Sequence, residues 1–159
     1  MKIQVSKVVL GLLAFSSAIV GADEKKLTGH QVPQAVHDAF KKAYPNAKEL
    51  KYEQEVVEGK KAYEIEFKHQ GKEIEAVYGA DGTLIETEEE IKISELPGSV
   101  SGAVKTAHPK GTIKEAEKIL EPDGTVSGYE VEVKEGKKEF ELELDASGTI
   151  LKTEAEDKD

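Results

Sequence analysis

Cysteine, arginine and tryptophan are absent from the 159-residue chain, and methionine occurs once. Without cysteine there is no disulfide, no thiolate metal site and no thiol nucleophile. Without arginine all 22 basic residues are lysines, so the planar fork that usually grips phosphate or carboxylate in two places is missing. Long apolar runs are scarce too. The one that stands out, Val8 to Val20 (VVLGLLAFSSAIV), is too short to cross a bilayer comfortably. The four histidines, His30, His37, His69 and His108, show neither H-x-H nor H-x-x-x-H spacing, which removes the usual zinc pattern. No nucleophile elbow, phosphate-binding glycine loop, dinucleotide fingerprint or EF-hand loop is present. Asp123-Gly124-Thr125 resembles a fragment of a calcium loop without its alternating ligands or closing glutamate. No enzyme, cofactor or metal is expected from these residues.

What is present begins with a leader. Lys2 and Lys7 flank the start of the apolar run, and Val20-Gly21-Ala22 ends it ahead of charged Asp23. This is the three-part pattern of a secretory signal peptide. Cleavage after Ala22 would leave 137 residues and change the formal charge from −10 to −12. A periplasmic or secreted location follows. So strong an acidic balance disfavours nucleic acid and anionic lipid as partners, and no membrane contact is expected once the leader is removed.

The chain then repeats itself. QVPQAVHDAFKKAYPNAK carries Pro33 at an expected first helical position, with Val36, Ala39, Phe40 and Ala43 on one helical stripe. Pro45 ends that helix by restricting Tyr44. ELPGSVSGAVKTAHPKGT repeats the plan with Pro97, Val100, Ala103, Val104, Ala107 and Pro109. Pro33 and Pro97, Phe40 and Val104, and Pro45 and Pro109 each stand 64 residues apart. Gly98 and Gly102 weaken the second helix, each by about 1 kcal/mol against alanine. After each helix the apolar period changes from 3.6 to 2. Strands are expected over 49–57 and 113–120, then a hairpin, then a last strand over 83–87 and 149–153. Glu58-Gly59, Asp81-Gly82, Asp123-Gly124 and Ser147-Gly148 supply the turns.

The hairpins, YEIEFKHQGKEIEAVY from Tyr63 and YEVEVKEGKKEFELEL from Tyr129, alternate apolar and charged residues. A two-residue turn at Gln70-Gly71 pairs Phe67 with Ile74, Ile65 with Ala76 and Tyr63 with Tyr78 on one face. The other face pairs Lys68 with Glu73, Glu66 with Glu75 and Glu64 with Val77. A turn at Glu135-Gly136 pairs Val131 with Phe140 and Tyr129 with Leu142, and Glu132 with Glu139 and Glu130 with Glu141. A one-residue slip would mix the faces. The apolar face, with Tyr63, Tyr78 and Tyr129, belongs to the core under each helix. The other face carries Glu64, Glu66, Lys68, Glu73, Glu75, Glu130, Glu132, Lys134, Glu139 and Glu141. Opposed glutamates destabilise by a few tenths of a kcal/mol each. Two readings stand side by side: a solvated face that resists aggregation, relieved by Lys51, Lys114, Lys118 and Lys152, or a docking surface for a basic partner or a cation.

The unit VPQAVHDAFKKAYPNAKE with YEIEFKHQGKEIEAVYGADGTLIE resembles the PepSY-like, β-lactamase-inhibitor-like domain, and ELPGSVSGAVKTAHPKG with YEVEVKEGKKEFELEL and DASGTIL resembles it again. The second copy departs in His108 for Tyr44 and Ser147 for Asp81. The resemblance implies an α+β fold: two tandem modules, each one helix packed on a four-stranded antiparallel sheet. It also implies a non-catalytic protein-binding role, as an inhibitor or regulator of a periplasmic or extracellular hydrolase or peptidase. A cation-binding acidic envelope protein or sensor is the alternative. The expected divisions are a signal peptide over 1–22, a flexible segment over 23–30, repeats over 31–89 and 90–153, and a disordered acidic tail over 154–159. The partner's identity, the oligomeric state and the orientation of the two modules are left open.

Overall fold

The computed structural model describes residues 25–57 and 59–156; the leader and its cleavage point lie outside them. Within this span the order is β1 (Lys25–Leu27), a 3-10 turn (Gly29–Gln31), α1 (Gln34–Ala43), β2 (Lys48–Val57), β3 (Lys60–His69), β4 (Lys72–Gly79) and β5 (Leu84–Glu90). A second 3-10 turn (Ile93–Glu95) then precedes α2 (Gly98–Ala107), β6 (Thr112–Leu120), β7 (Val126–Glu135), β8 (Lys138–Asp145) and β9 (Ile150–Glu156). A 3-10 turn, a helix and four strands therefore occur twice.

Each helix starts one residue after its proline. Pro33 (φ −57, ψ 144) and Pro97 (φ −56, ψ 146) are extended caps, a conformation their rings already favour. Val36 and Phe40 of α1 pack on Ile65, Phe67, Ile74, Ala76 and Tyr78. Val100 and Val104 of α2 pack on Ala116, Val131, Val133, Leu142 and Leu144. Phe67 is held between Phe40 and Tyr44, with ring centres at 4.9 and 4.5 Å. The expected apolar face of each hairpin is thus the floor of a helix-covered core.

The expectation of two four-stranded modules is overturned. All nine strands form one antiparallel sheet in sequential order, β1 to β9. The two halves are joined where β5 pairs with β6, through Thr87↔Leu120, Glu88↔Ile119, Glu89↔Lys118 and Glu90↔Glu117. The reason lies in backbone hydrogen bonding. Separate sheets would each leave a strand edge unpaired in the middle of the molecule, and merging satisfies both. Residues 87–90, at the expected junction of the two repeats, are part of that seam. The segment expected to be flexible before residue 31 contributes β1, which pairs with β2 through Leu27↔Tyr52. Likewise Glu154 to Glu156, expected to be tail, end β9.

The first hairpin has the expected register throughout, closed by Gln70 (φ 54) and Gly71 (φ 85). In the second hairpin the turn falls one residue later, on Gly136-Lys137. Val131 then faces Leu142, Val133 faces Phe140, and Glu132 and Glu130 face Glu141 and Glu143. Here the glycine (φ 68) takes the first turn position rather than the second, the other backbone solution that suits strand twist. Moving the turn by one residue shifts the pairing by two, so every side chain keeps its face.

Candidate functional site: the acidic face of the sheet

Side chains facing away from the helices come mostly from glutamates, and register lines them up across strands. Glu66, Glu75 and Glu88 are direct neighbours on β3, β4 and β5. Glu90, Glu117, Glu130 and Glu143 continue from β5 to β8, beside a row of Glu115, Glu132, Glu141 and Glu154. All ten side chains singled out from the sequence lie on this face. Lys68 binds Glu49 at 2.7 Å and Glu73 at 3.6 Å, Lys134 binds Glu139 at 3.1 Å, and Glu66 accepts from Lys51 at 2.6 Å.

The face is curled inward. One depression of about 180 Å³ is lined by Glu75, Glu115, Glu117, Glu130, Glu132 and Glu141. Glu75 is on β4 and Glu141 on β8, strands that a flat sheet would hold about 19 Å apart. Val77 and Ile119 also point to this side, opposite Glu86 and Glu88, yet are only 3% and 7% exposed. Strand twist accumulated over nine strands is what bends the sheet.

At the centre, one carboxylate oxygen each from Glu75, Glu88 and Glu117 lies within 4.8 Å of the other two. Among the described residues, the ion pairs involve none of these three. Burial first, and neighbouring glutamates second, push Glu75 and Glu117 up to about 7. The same causes hold Glu88 and Glu130 well above the usual carboxylate range. Like charges this close cannot all ionise without a cation, so protons are shared between them. A cluster of this kind can take up protons near neutral pH, attract a basic group, or ligate a hard cation through oxygen.

Sequence reasoning missed the middle of this site. Glu86 falls in the expected last strand of the first repeat, Glu88 and Glu90 at the junction of the repeats, and Glu115 and Glu117 in an expected strand, none of them with a face given by its own segment. The only signal was parity: in TEEEIK, every second residue matches the acidic side of β4. Lys118, expected to relieve repulsion on this face, lies on the other side, where it binds Glu89 at 2.9 Å. The histidines are elsewhere. His37 Nε2 meets the Gly29 carbonyl at 2.6 Å, His69 packs on Tyr44, and His108 joins Glu135 at 3.1 Å over the Phe140 ring.

Known proteins share this architecture. A BLIP-like protein from Bacteroides fragilis is 28% identical, covering 80% of this chain and 91% of its own, with a TM-score of 0.55. A DUF2874 family protein from Bacteroides uniformis is 17% identical over 77% and 88%, with a TM-score of 0.60. A structure described as "putative periplasmic proteins" from Bacteroides eggerthii is 16% identical over 78% and 88%, with a TM-score of 0.61. Comparison with curated proteins finds no match. The family model described as "Putative beta-lactamase-inhibitor-like, PepSY-like" matches residues 19–86 and again residues 61–152. The two matches together span residues 19–152, and the chain belongs to the PepSY-like, β-lactamase-inhibitor-like family.

Proposed function

We propose that this chain is an exported, non-catalytic binding module that grips a protein partner, in the manner of an inhibitor or regulator of a hydrolase or peptidase. The partner presents lysine or arginine side chains to the curled acidic face. The observation that carries this reading is the convergence of glutamates from β4, β6, β7 and β8 on one depression. Curvature gives the face two walls rather than a flat plane, and burial strengthens each charge–charge contact made inside it. Export is supported by the leader at residues 1–22 and by the description of the Bacteroides eggerthii neighbour as periplasmic. The test compares the intact protein with a Glu75→Gln/Glu117→Gln/Glu130→Gln variant in capture from periplasmic extract. The near-isosteric amides keep the fold, which circular dichroism verifies. Loss of specific proteins from the variant's capture is expected; equal capture by both removes the acidic face as the docking surface.

A second reading rests on a separate observation, the approach of Glu75, Glu88 and Glu117 oxygens to within 4.8 Å. Three carboxylates at that spacing are a partial oxygen shell for a hard divalent cation, with water filling the remainder. Titration calorimetry with Ca²⁺ and Mg²⁺ at physiological ionic strength decides it. Heat that disappears in Glu88→Gln supports the cation; no heat below millimolar concentration excludes it.

A further inference from the structure

We propose that β9 is a dimerisation edge, on which a second copy of the chain pairs antiparallel about a two-fold axis at Thr153. The argument starts from the repeated element order. Strand β5 closes the first set of four strands, and its outer edge is occupied: Thr87 to Glu90 pair with β6. Strand β9 closes the second set, with Thr153 to Glu156 in the corresponding places. Its only pairing among the described residues is with β8. At the other end of the sheet, β1 covers β2 at Tyr52, Glu53 and Gln54. Among the described residues, one end of the sheet thus finishes on a strand of three residues and the other on a strand of seven with no partner on its outer side. An open edge of that length is a template for a further strand.

The occupant is indicated by the order of residues along β9, Ile-Leu-Lys-Thr-Glu-Ala-Glu. Folded back on itself about Thr153, this strand sets Lys152 of each copy opposite Glu154 of the other. Leu151, which is 48% exposed at the bulge beside Ile150, falls opposite Ala155 of the other copy. Thr153 faces its own mate. Every contact off the axis occurs twice, as a two-fold interface requires. Opposite charges set directly across a strand pair stabilise it, and like charges destabilise it. Head-to-tail growth, with β9 on the outer edge of β1 in another molecule, would find a template of only three residues.

Sedimentation equilibrium of the purified protein over a wide concentration range tests the pairing. The wild type is expected to dimerise. Lys152→Glu and Glu154→Lys each place two like-charged pairs across the junction and should weaken association about ten-fold. The double variant, with the two charges exchanged, restores opposite pairs and should restore the dimer. Circular dichroism confirms that each variant is folded. A wild type that stays monomeric overturns the proposal, and so does a dimer that both single reversals leave unchanged.

Discussion

Gly82 shows how much a single residue can carry here. Its φ of +84 is a left-handed conformation, and a Cβ built on it would lie 2.5 Å from the carbonyl oxygen of Ala35. Gly148 repeats this against Ser99, at φ +92 and 2.8 Å. Each β-turn is pressed onto the first turn of its helix, so the glycine is required twice over, by the backbone and by the neighbour. Gly82→Ala should cost about 2 kcal/mol or more in urea unfolding. Gly102, in the middle of α2, has open space where a Cβ would go. Gly102→Ala should stabilise by about 0.5–1 kcal/mol. The turn at Ser147 carries the same logic in a different residue. Asp81 accepts from the Thr83 amide at 2.9 Å. In the second copy Asp145 takes over, accepting from the Ser147 and Thr149 amides at 2.9 Å each. The Ser147 hydroxyl, donating to Asp145 at 2.7 Å, and then the Thr149 amide lower Asp145 to about 2, and the departure at Ser147 leaves the turn intact.

The titration of the acidic cluster has a definite sign. Glu75 and Glu117 titrate near 7 when folded against an ordinary 4.5. Between those values the folded state holds protons that the unfolded chain has released, so stability falls as pH rises through this window. Denaturant unfolding at about pH 5 and about pH 8 should differ by a few kcal/mol in favour of the lower pH. Glu75→Gln/Glu117→Gln should flatten that dependence. An unchanged slope in this variant would show that the cluster is not its source.

At the scale of elements, the helix-covered hairpin does most of the work of stability. Phe67 is 1% exposed and packs against Phe40 and Tyr44. Phe67→Ala should cost about 3–5 kcal/mol, because the rigid sheet below it cannot collapse into the space. Both hairpins were legible from alternation alone, down to which face each residue occupies. Only the exact pairing of the second was not. Glu-Gly-Lys-Lys accommodates a glycine at either turn position, and both choices keep the faces, so periodicity cannot choose between them. The helix boundaries followed from Pro33, Pro45, Pro97 and Pro109 for the reverse reason: proline acts on its own backbone and that of one neighbour.

At the scale of the whole molecule, the β5–β6 seam changes what the protein is. Two modules tethered by a chain would unfold separately, whereas halves sharing one hydrogen-bonded sheet should unfold together. Calorimetry is expected to show one transition, with matching calorimetric and van't Hoff enthalpies. Two resolved transitions would mean that the seam opens before either core.

Local chemistry, then, determined the helices, the hairpins, their two faces and the family, because each depends on residues a few positions apart. The center of the acidic face was decided only by tertiary structure. Glu75, Glu88 and Glu117 come from three strands, and Glu88 acquires its neighbours only when β5 pairs with β6. No period within any segment encodes that pairing. It follows from the need to satisfy two strand edges at once, and from the curvature that nine twisted strands accumulate.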